Sequence, residues 1–197
     1  MSLFKIAGGT VYDPKNGVDG QVKDLWIEGD RIIAAPSDPS VRPDRILDAV
    51  GLVVMPGGVD MHCHIAGPKV NVARKMMPEA KRTAEKIVRT QFTRSGTMGS
   101  VPSTFATGYK YAGLGYTTAF DAAVPPLAAR HAIEEFHDTP LIDKGFFVLV
   151  GNNHYVLEQL RDNEPERLRN YIAWLVNSTK AFTTKVVNPG GVEVWKS

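Results

Sequence analysis

Along the first fifty residues the apolar positions come in short, often β-branched clusters. They predict strands over residues 3–6, 10–12, 22–27, 32–35 and 46–49. Gly8-Gly9, the stretch Asp13-Pro14-Lys15-Asn16-Gly17 and Glu28-Gly29-Asp30 separate them. Gly and Asn tolerate positive φ and Pro presets it, so these separators read as turns. Residues 37–44, SDPSVRPD, are polar and proline-rich and read as a loop. The expectation for residues 1–50 is a small β-domain.

The pattern changes after Gly51. Leu52-Val53-Val54-Met55 is a continuous apolar run, as expected of a strand buried on both faces, and similar runs return at 116–120, 145–150 and 182–187. Helical patterns lie between them, over 78–92 with Ala84, Ile87 and Val88, over the alanine-rich 127–136, and over 163–180. In the last, Leu168, Ile172, Leu175 and Val176 share one helical face, and Asn163 with Glu166 resembles a capping box. Residues 95–111, rich in Gly, Ser and Thr, read as a long ordered loop. Strand–helix alternation of this kind builds βα units around a parallel sheet. The predicted fold class is therefore α/β, with residues 51–197 supplying the first four βα units of a (β/α)8 barrel. Half a barrel has open sheet edges, so the sequence is expected to be the front part of a longer polypeptide and incomplete alone.

Composition narrows the classes. With 43% hydrophobic and 22% charged residues the chain is that of a folded domain. A net charge of +2 gives no electrostatic argument for nucleic acid or a membrane surface, and a single cysteine excludes an internal disulfide framework. No apolar run is long enough for a membrane helix, and the start MSLFKI has no secretory pattern, so the expected location is the cytoplasm.

The strongest chemical signal is Pro56-Gly57-Gly58-Val59-Asp60-Met61-His62-Cys63-His64. Side chains alternate along a strand, so His62 and His64 face one way and Cys63 the other. Two imidazoles about 7 Å apart along a strand can grip one metal ion, and strand ends are where barrel active sites are built. A bare His-x-His fits equally well two histidines satisfied by hydrogen bonds; the Gly-Gly-Val-Asp lead-in and the buried strand favour metal. Cys63 reads as a packed side chain rather than a ligand. The second signal is Lys185, near the end of the fourth apolar run. Alone it fits a lysine that reaches solvent or pairs with an acid. A neutral lysine can also take up carbon dioxide, and the resulting carbamate is a carboxylate able to bridge two cations.

The β-domain, GGVDMHCHI and a strand-end lysine together resemble the amidohydrolase superfamily. Within it, HIAGPKVNVAR (64–74), VPSTFATGYKYAGLGYTTAFDAAVPPLAARH (101–131), GNNH (151–154) and KVVNPGGVEVWK (185–196) resemble the A-subunit family of formylmethanofuran dehydrogenase and of the formyltransferase/hydrolase complex. The resemblance implies that His62 and His64 bind one metal and that carboxylated Lys185 bridges two divalent ions, with zinc expected. It also implies further histidines and a catalytic aspartate that this sequence does not contain; the last histidine is His154.

The implied reaction is hydrolysis of an N-formyl group on a furan-amine one-carbon carrier (formylmethanofuran or formylmethylofuran), giving formate and free amine in tetrahydromethanopterin-linked formaldehyde oxidation. The implied partners are the other subunits of such a complex and the formylated carrier. Alternatives are the same site running toward formylation, a cyclic-amide hydrolase of the dihydroorotase type, and a non-catalytic scaffold protein. Weaker substrate-binding candidates are Lys69, Asn71 and Arg74, with neighbouring Lys75, on the loop after the first strand, then Asn152, Asn153 and His154, and finally Asn188. Asp121, at the end of the second strand, reads either as a group that orients a ligand or as a helix cap.

Overall fold

The computed structural model describes residues 2–77, 90–91 and 104–187. The chain divides into two units between Pro56 and Gly57. In the first, strand β1 (Leu3–Asp13) pairs antiparallel with β2 (Val18–Glu28), which pairs antiparallel with β3 (Arg31–Ile33). Strands β4 (Arg45–Asp48) and β5 (Val53–Val54) both run parallel to β1.

Two expectations change here. The Gly8-Gly9 pair does not end a strand; β1 continues through an irregularity between Ile6 and Gly9. Gly8 takes φ +70° there, and its N–H donates to Asp24 Oδ1 at 2.9 Å. The Asp24 carboxyl is held below the ordinary range, chiefly by its contact with Lys5 Nζ at 2.6 Å. The other change concerns residues 52–55. They do not open the parallel sheet: Val53 and Val54 pair with Thr10 and Val11 of β1, so they belong to the first unit. Their apolar run resembles that of a two-sided buried strand, yet Val53 is 61% exposed within the chain.

The second unit opens on β6 (Gly58–Cys63), followed by β7 (Tyr116–Val124), β8 (Asp143–Leu149) and β9 (Thr183–Lys185). These four strands form one sheet in chain order, each parallel to the next. The connections carry helices α1 (Pro68–Lys75), α2 (Phe105–Gly113), α3 (Ala129–His137), α4 (His154–Arg161) and α5 (Pro165–Thr179). Four parallel strands with intervening helices are half the stave complement of a (β/α)8 barrel. The core between sheet and helices holds Ala119, Val124, Ala132, Phe136, Phe146 and Val148. Leu168, Ile172 and Val176 pack against it and Leu175 is inside it, so the apolar stripe of α5 lies where its 3.6-residue period put it.

The helix boundaries are less regular. Asn163 does not cap α5: it sits at φ +54° between α4 and α5, and α5 begins with Pro165 at its first turn and no side-chain cap. Proline has no N–H to offer and disfavours a helical residue before it, so the helix starts there. Part of the loop expected over 95–111 is helix α2, in which Gly108 is buried; a Cβ on it would run into the Pro140 carbonyl oxygen. The basic segment expected as a loop after the first barrel strand is helix α1, and α4 was not foreseen. Apart from residues 90 and 91, the helix expected over 78–92 lies outside the described residues. Among the described residues no helix is long and apolar enough to cross a membrane.

Candidate functional site

The end of β6 shows the expected alternation. His62 and His64 are exposed, and Cys63 between them is buried. The two imidazole rings lie with centroids 5.8 Å apart and planes at 88°. Cys63 Sγ points into the sheet, 3.1 Å from the Phe120 carbonyl oxygen, and burial pushes its thiol up to about 12. Its side chain lies on the opposite face of the strand from the two imidazoles and so is not placed to share their metal. Replacing Cys63 with Ala is therefore expected to leave metal content unchanged while lowering stability by ~1 kcal/mol, read by metal analysis and denaturation of the full-length protein. Loss of metal in that variant would make Cys63 a ligand. Beside it, the Tyr111 hydroxyl donates to Asp60 Oδ2 at 3.0 Å, and burial is the main cause holding that phenol above its usual range.

Two buried carboxylates hold the backbone that follows His64. Asp121, 1% exposed, accepts the N–H groups of Ile65 at 2.8 Å and Ala66 at 3.0 Å on Oδ2. Its Oδ1 accepts from Ala123 N at 3.3 Å and lies 3.7 Å from His64 Nδ1. Glu135 Oε2 accepts the next N–H, that of Gly67, at 2.6 Å. Three consecutive peptide groups are thus fixed by side chains from β7 and α3. Asp121 is not a helix cap: it lies within β7, which runs on to Val124. Its Oδ1, at 3.7 Å, is beyond hydrogen-bond distance of the His64 ring.

Glu135 Oε1 meets three further side chains. Asn71 Nδ2 donates to it at 2.6 Å, His131 Nε2 lies at 3.2 Å, and an Arg74 guanidinium nitrogen lies at 3.9 Å. Arg74 also donates to the Ile65 carbonyl at 2.6 Å and to Asn71 Oδ1 at 3.0 Å. Burial is the main cause lowering its guanidinium from the ordinary range, against the pull of Glu135 and Asp121. Arg74 and Asn71, expected to meet an acidic substrate tail, are instead engaged inside the protein. Glu135 and His131 were not foreseen. The signal available for Glu135 was a carboxylate among Ala132 and Phe136 on the buried face of a helix.

The remaining candidates separate. Lys185 ends β9 half-buried, paired in register with Leu149, and its carbonyl accepts from Val150 N at 3.0 Å. Because the sheet is parallel, Lys185 and the histidine pair sit at the same, C-terminal, edge. Asn152, just beyond β8, has Oδ1 buried with no hydrogen-bond partner among the described residues. Asn153 caps α4: its Oδ1 accepts from Val156 N at 3.2 Å and its Nδ2 donates to Tyr171 Oη at 2.9 Å. His154 is the exposed first residue of α4, and Lys69 lies in the first turn of α1. Asn188 lies outside the described residues.

A cleft of about 900 Å³ opens beside His64. Its polar side chains, among the described residues, are His64, Asp121 and His131; the walls are small and apolar, with Val70, Ala73, Val124 and Ala128. No three His, Cys, Asp or Glu residues group closely enough to hold a metal among the described residues. The two neighbouring imidazoles of one strand face, with a buried carboxylate behind one of them, do fit a partial metal-ligand set.

Residues 45–197 match the model of the amidohydrolase family. The chain is 46% identical over 192 residues to Protein FwdA of Methanocaldococcus jannaschii, covering 98% of this chain and 33% of that protein. It is 37% identical over 195 residues to the A-subunit of the formyltransferase/hydrolase complex Fhc of Methylorubrum extorquens, covering 98% of this chain and 34% of that protein. The crystal structure of the latter complex, FhcABCD with methylofuran, superposes with a TM-score of 0.82 at 35% identity, covering 98% of this chain and 34% of that chain. The chain thus spans about a third of the length of the curated relatives it matches.

Proposed function

The chain belongs to the amidohydrolase family, and from that premise we propose that the protein hydrolyses the N-formyl group of a furan-amine one-carbon carrier to formate and free amine. The observation that carries this reading is the His62/His64 pair beside an apolar cleft, in a chain similar over 98% of its length to the A-subunit of the Fhc complex. The protein would work in the cytoplasm, within a multisubunit complex of that type.

In this reading His62 and His64 would hold one divalent cation, and Lys185, as its carbamate, would supply a carboxylate shared with a second. Zinc suits the imidazole and carboxylate donors. Two such cations supply a water of lowered pKa and a polarised carbonyl, which a poorly electrophilic formamide needs. The protein's own contribution is orientation. Asp121 and Glu135 fix residues 65–67, and with them the position of His64. The apolar walls, with Val70, Ala73, Val124 and Ala128, would pack against the carrier's ring. A second reading, implied by the resemblance of KVVNPGGVEVWK (185–196) to the A-subunit family of formylmethanofuran dehydrogenase, has the same site running toward formylation.

The test uses the full-length protein with a formylated furfurylamine and with a cyclic imide. Formate release from the former, and no ring opening of the latter, is the expected result; the reverse would make it a cyclic-amide hydrolase. Replacing Lys185 with Ala should abolish the dinuclear metal content, and a short carboxylic acid in the medium should restore part of it. Full metal content without any such acid would show that no carbamate bridges the cations.

A further inference from the structure

The stretch Gly57-Gly58-Val59-Asp60, which leads into His62, has no part in the hydrolysis described above. A Cβ on Gly57 would run into the Thr117 side chain, and one on Gly58 into the Tyr116 ring. The Gly58 N–H donates to the Gly115 carbonyl at 2.8 Å. Both positions are glycine because β6 enters the sheet pressed against the start of β7.

The register between the two strands then slips. Asp60 pairs with Ala119 and Cys63 with Asp121, so Met61 and His62 together stand opposite Phe120. Two residues against one make a bulge, which disrupts the ladder and re-aims side chains. Asp60 supplies a partner at that point: its Oδ1 accepts the His62 N–H at 3.0 Å. An aspartate that accepts the N–H two residues on is a common local turn, and alone it leaves the carboxylate free to rotate. Here the other oxygen is held as well. The Tyr111 hydroxyl, on α2 and 51 positions away, donates to Asp60 Oδ2 at 3.0 Å. Tyr111 packs on Tyr116, with ring centroids 5.5 Å apart. The ring that requires Gly58 thus also supports the phenol that holds Asp60.

We propose that Asp60 and Tyr111 are positioning residues for the His62 imidazole: they lock the bulge that brings its ring beside that of His64. The inference rests on the reading of His62 and His64 as metal ligands. The two glycines serve the same end, by admitting the β7 side chains against which Tyr111 is placed.

The test uses the full-length protein and two readouts, zinc affinity by chelator competition and the visible absorption bands of the cobalt-substituted form. Asp60→Ala leaves the His62 N–H without its acceptor, and should weaken zinc binding about ten- to a hundredfold and shift the cobalt bands. Tyr111→Phe keeps the ring on Tyr116 and removes one hydrogen bond, so the loss should be about three- to tenfold. Asp60→Asn keeps an oxygen for the His62 N–H and offers Tyr111 Oη an amide donor in place of an acceptor. It should bind zinc as the wild type does. Thermal denaturation of the metal-free proteins reports packing separately. A lowered melting temperature with unchanged zinc affinity and cobalt bands in Asp60→Ala would make the role merely structural and overturn the inference. An Asp60→Asn variant as weak as Asp60→Ala would also overturn it, because the carboxylate would then act by its charge. Where Asp60→Ala does not fold, Tyr111→Phe decides, and wild-type affinity and bands in that variant overturn the inference. If His62→Ala keeps its full metal content, the metal-ligand reading fails and takes the inference with it.

Discussion

Replacing His62 with Ala in the full-length protein is expected to remove bound metal and formate release together. His62 is exposed at the end of β6, its ring centroid 5.8 Å from that of His64. No third His, Cys, Asp or Glu is grouped with them among the described residues, so nothing there substitutes for a lost imidazole. A metal pair contributes several kcal/mol of charge stabilisation to an acyl-transfer transition state. Losing it should lower kcat/KM by roughly a thousandfold or more. The fold should survive, because the His62 ring is not part of the core. An active variant with full metal content would show that the histidine pair is not the metal site.

Replacing Glu135 with Leu should strongly destabilise the second unit. It would strip the acceptor from Gly67 N and Asn71 Nδ2 at once and remove the contact with His131 Nε2. It would also leave the Arg74 side chain, only 12% exposed, without its carboxylate. Breaking one side of a buried ion pair costs about 3–5 kcal/mol. Glu135→Gln keeps the volume but accepts on one atom only, so it should cost less, about 1–3 kcal/mol. Chemical denaturation of the full-length protein measures both. A Glu135→Leu variant as stable as wild type would mean that the Arg74–Glu135 cluster contributes nothing to the fold.

What was legible in the sequence depended on local periodicity. The stripe Leu168, Ile172, Leu175 and Val176 is a period of 3.6 on one helix, and it packs as that period requires. His62, Cys63 and His64 alternate because a strand has period two, whatever it pairs with. What failed was pairing at a distance. The run at 52–55 has the composition of a central strand, but its partner is β1, some forty residues earlier, and composition does not name a partner. The strand that opens the parallel sheet, Gly58–Cys63, carries Asp60 and His62 and so lacks the continuous apolar run that drew the start of the sheet to 52–55. Arg74 read as a surface cation, since most arginines are exposed. Its carboxylate is Glu135, and Glu135 reaches Gly67 across 68 positions of sequence. Asn153 looked like a site residue in GNNH, but it is an N-cap, a role that depends on the helix after it.

The central claim is that His62, His64 and Lys185 belong to a dinuclear metal site that cleaves a formamide. Elemental analysis of the purified full-length protein, with formate release followed on the same samples before and after chelation, tests it most directly. The account predicts two divalent cations per chain, formate release that disappears with them, and recovery of both when metal and bicarbonate are restored. Formate release that persists in protein carrying no stoichiometric metal would contradict it.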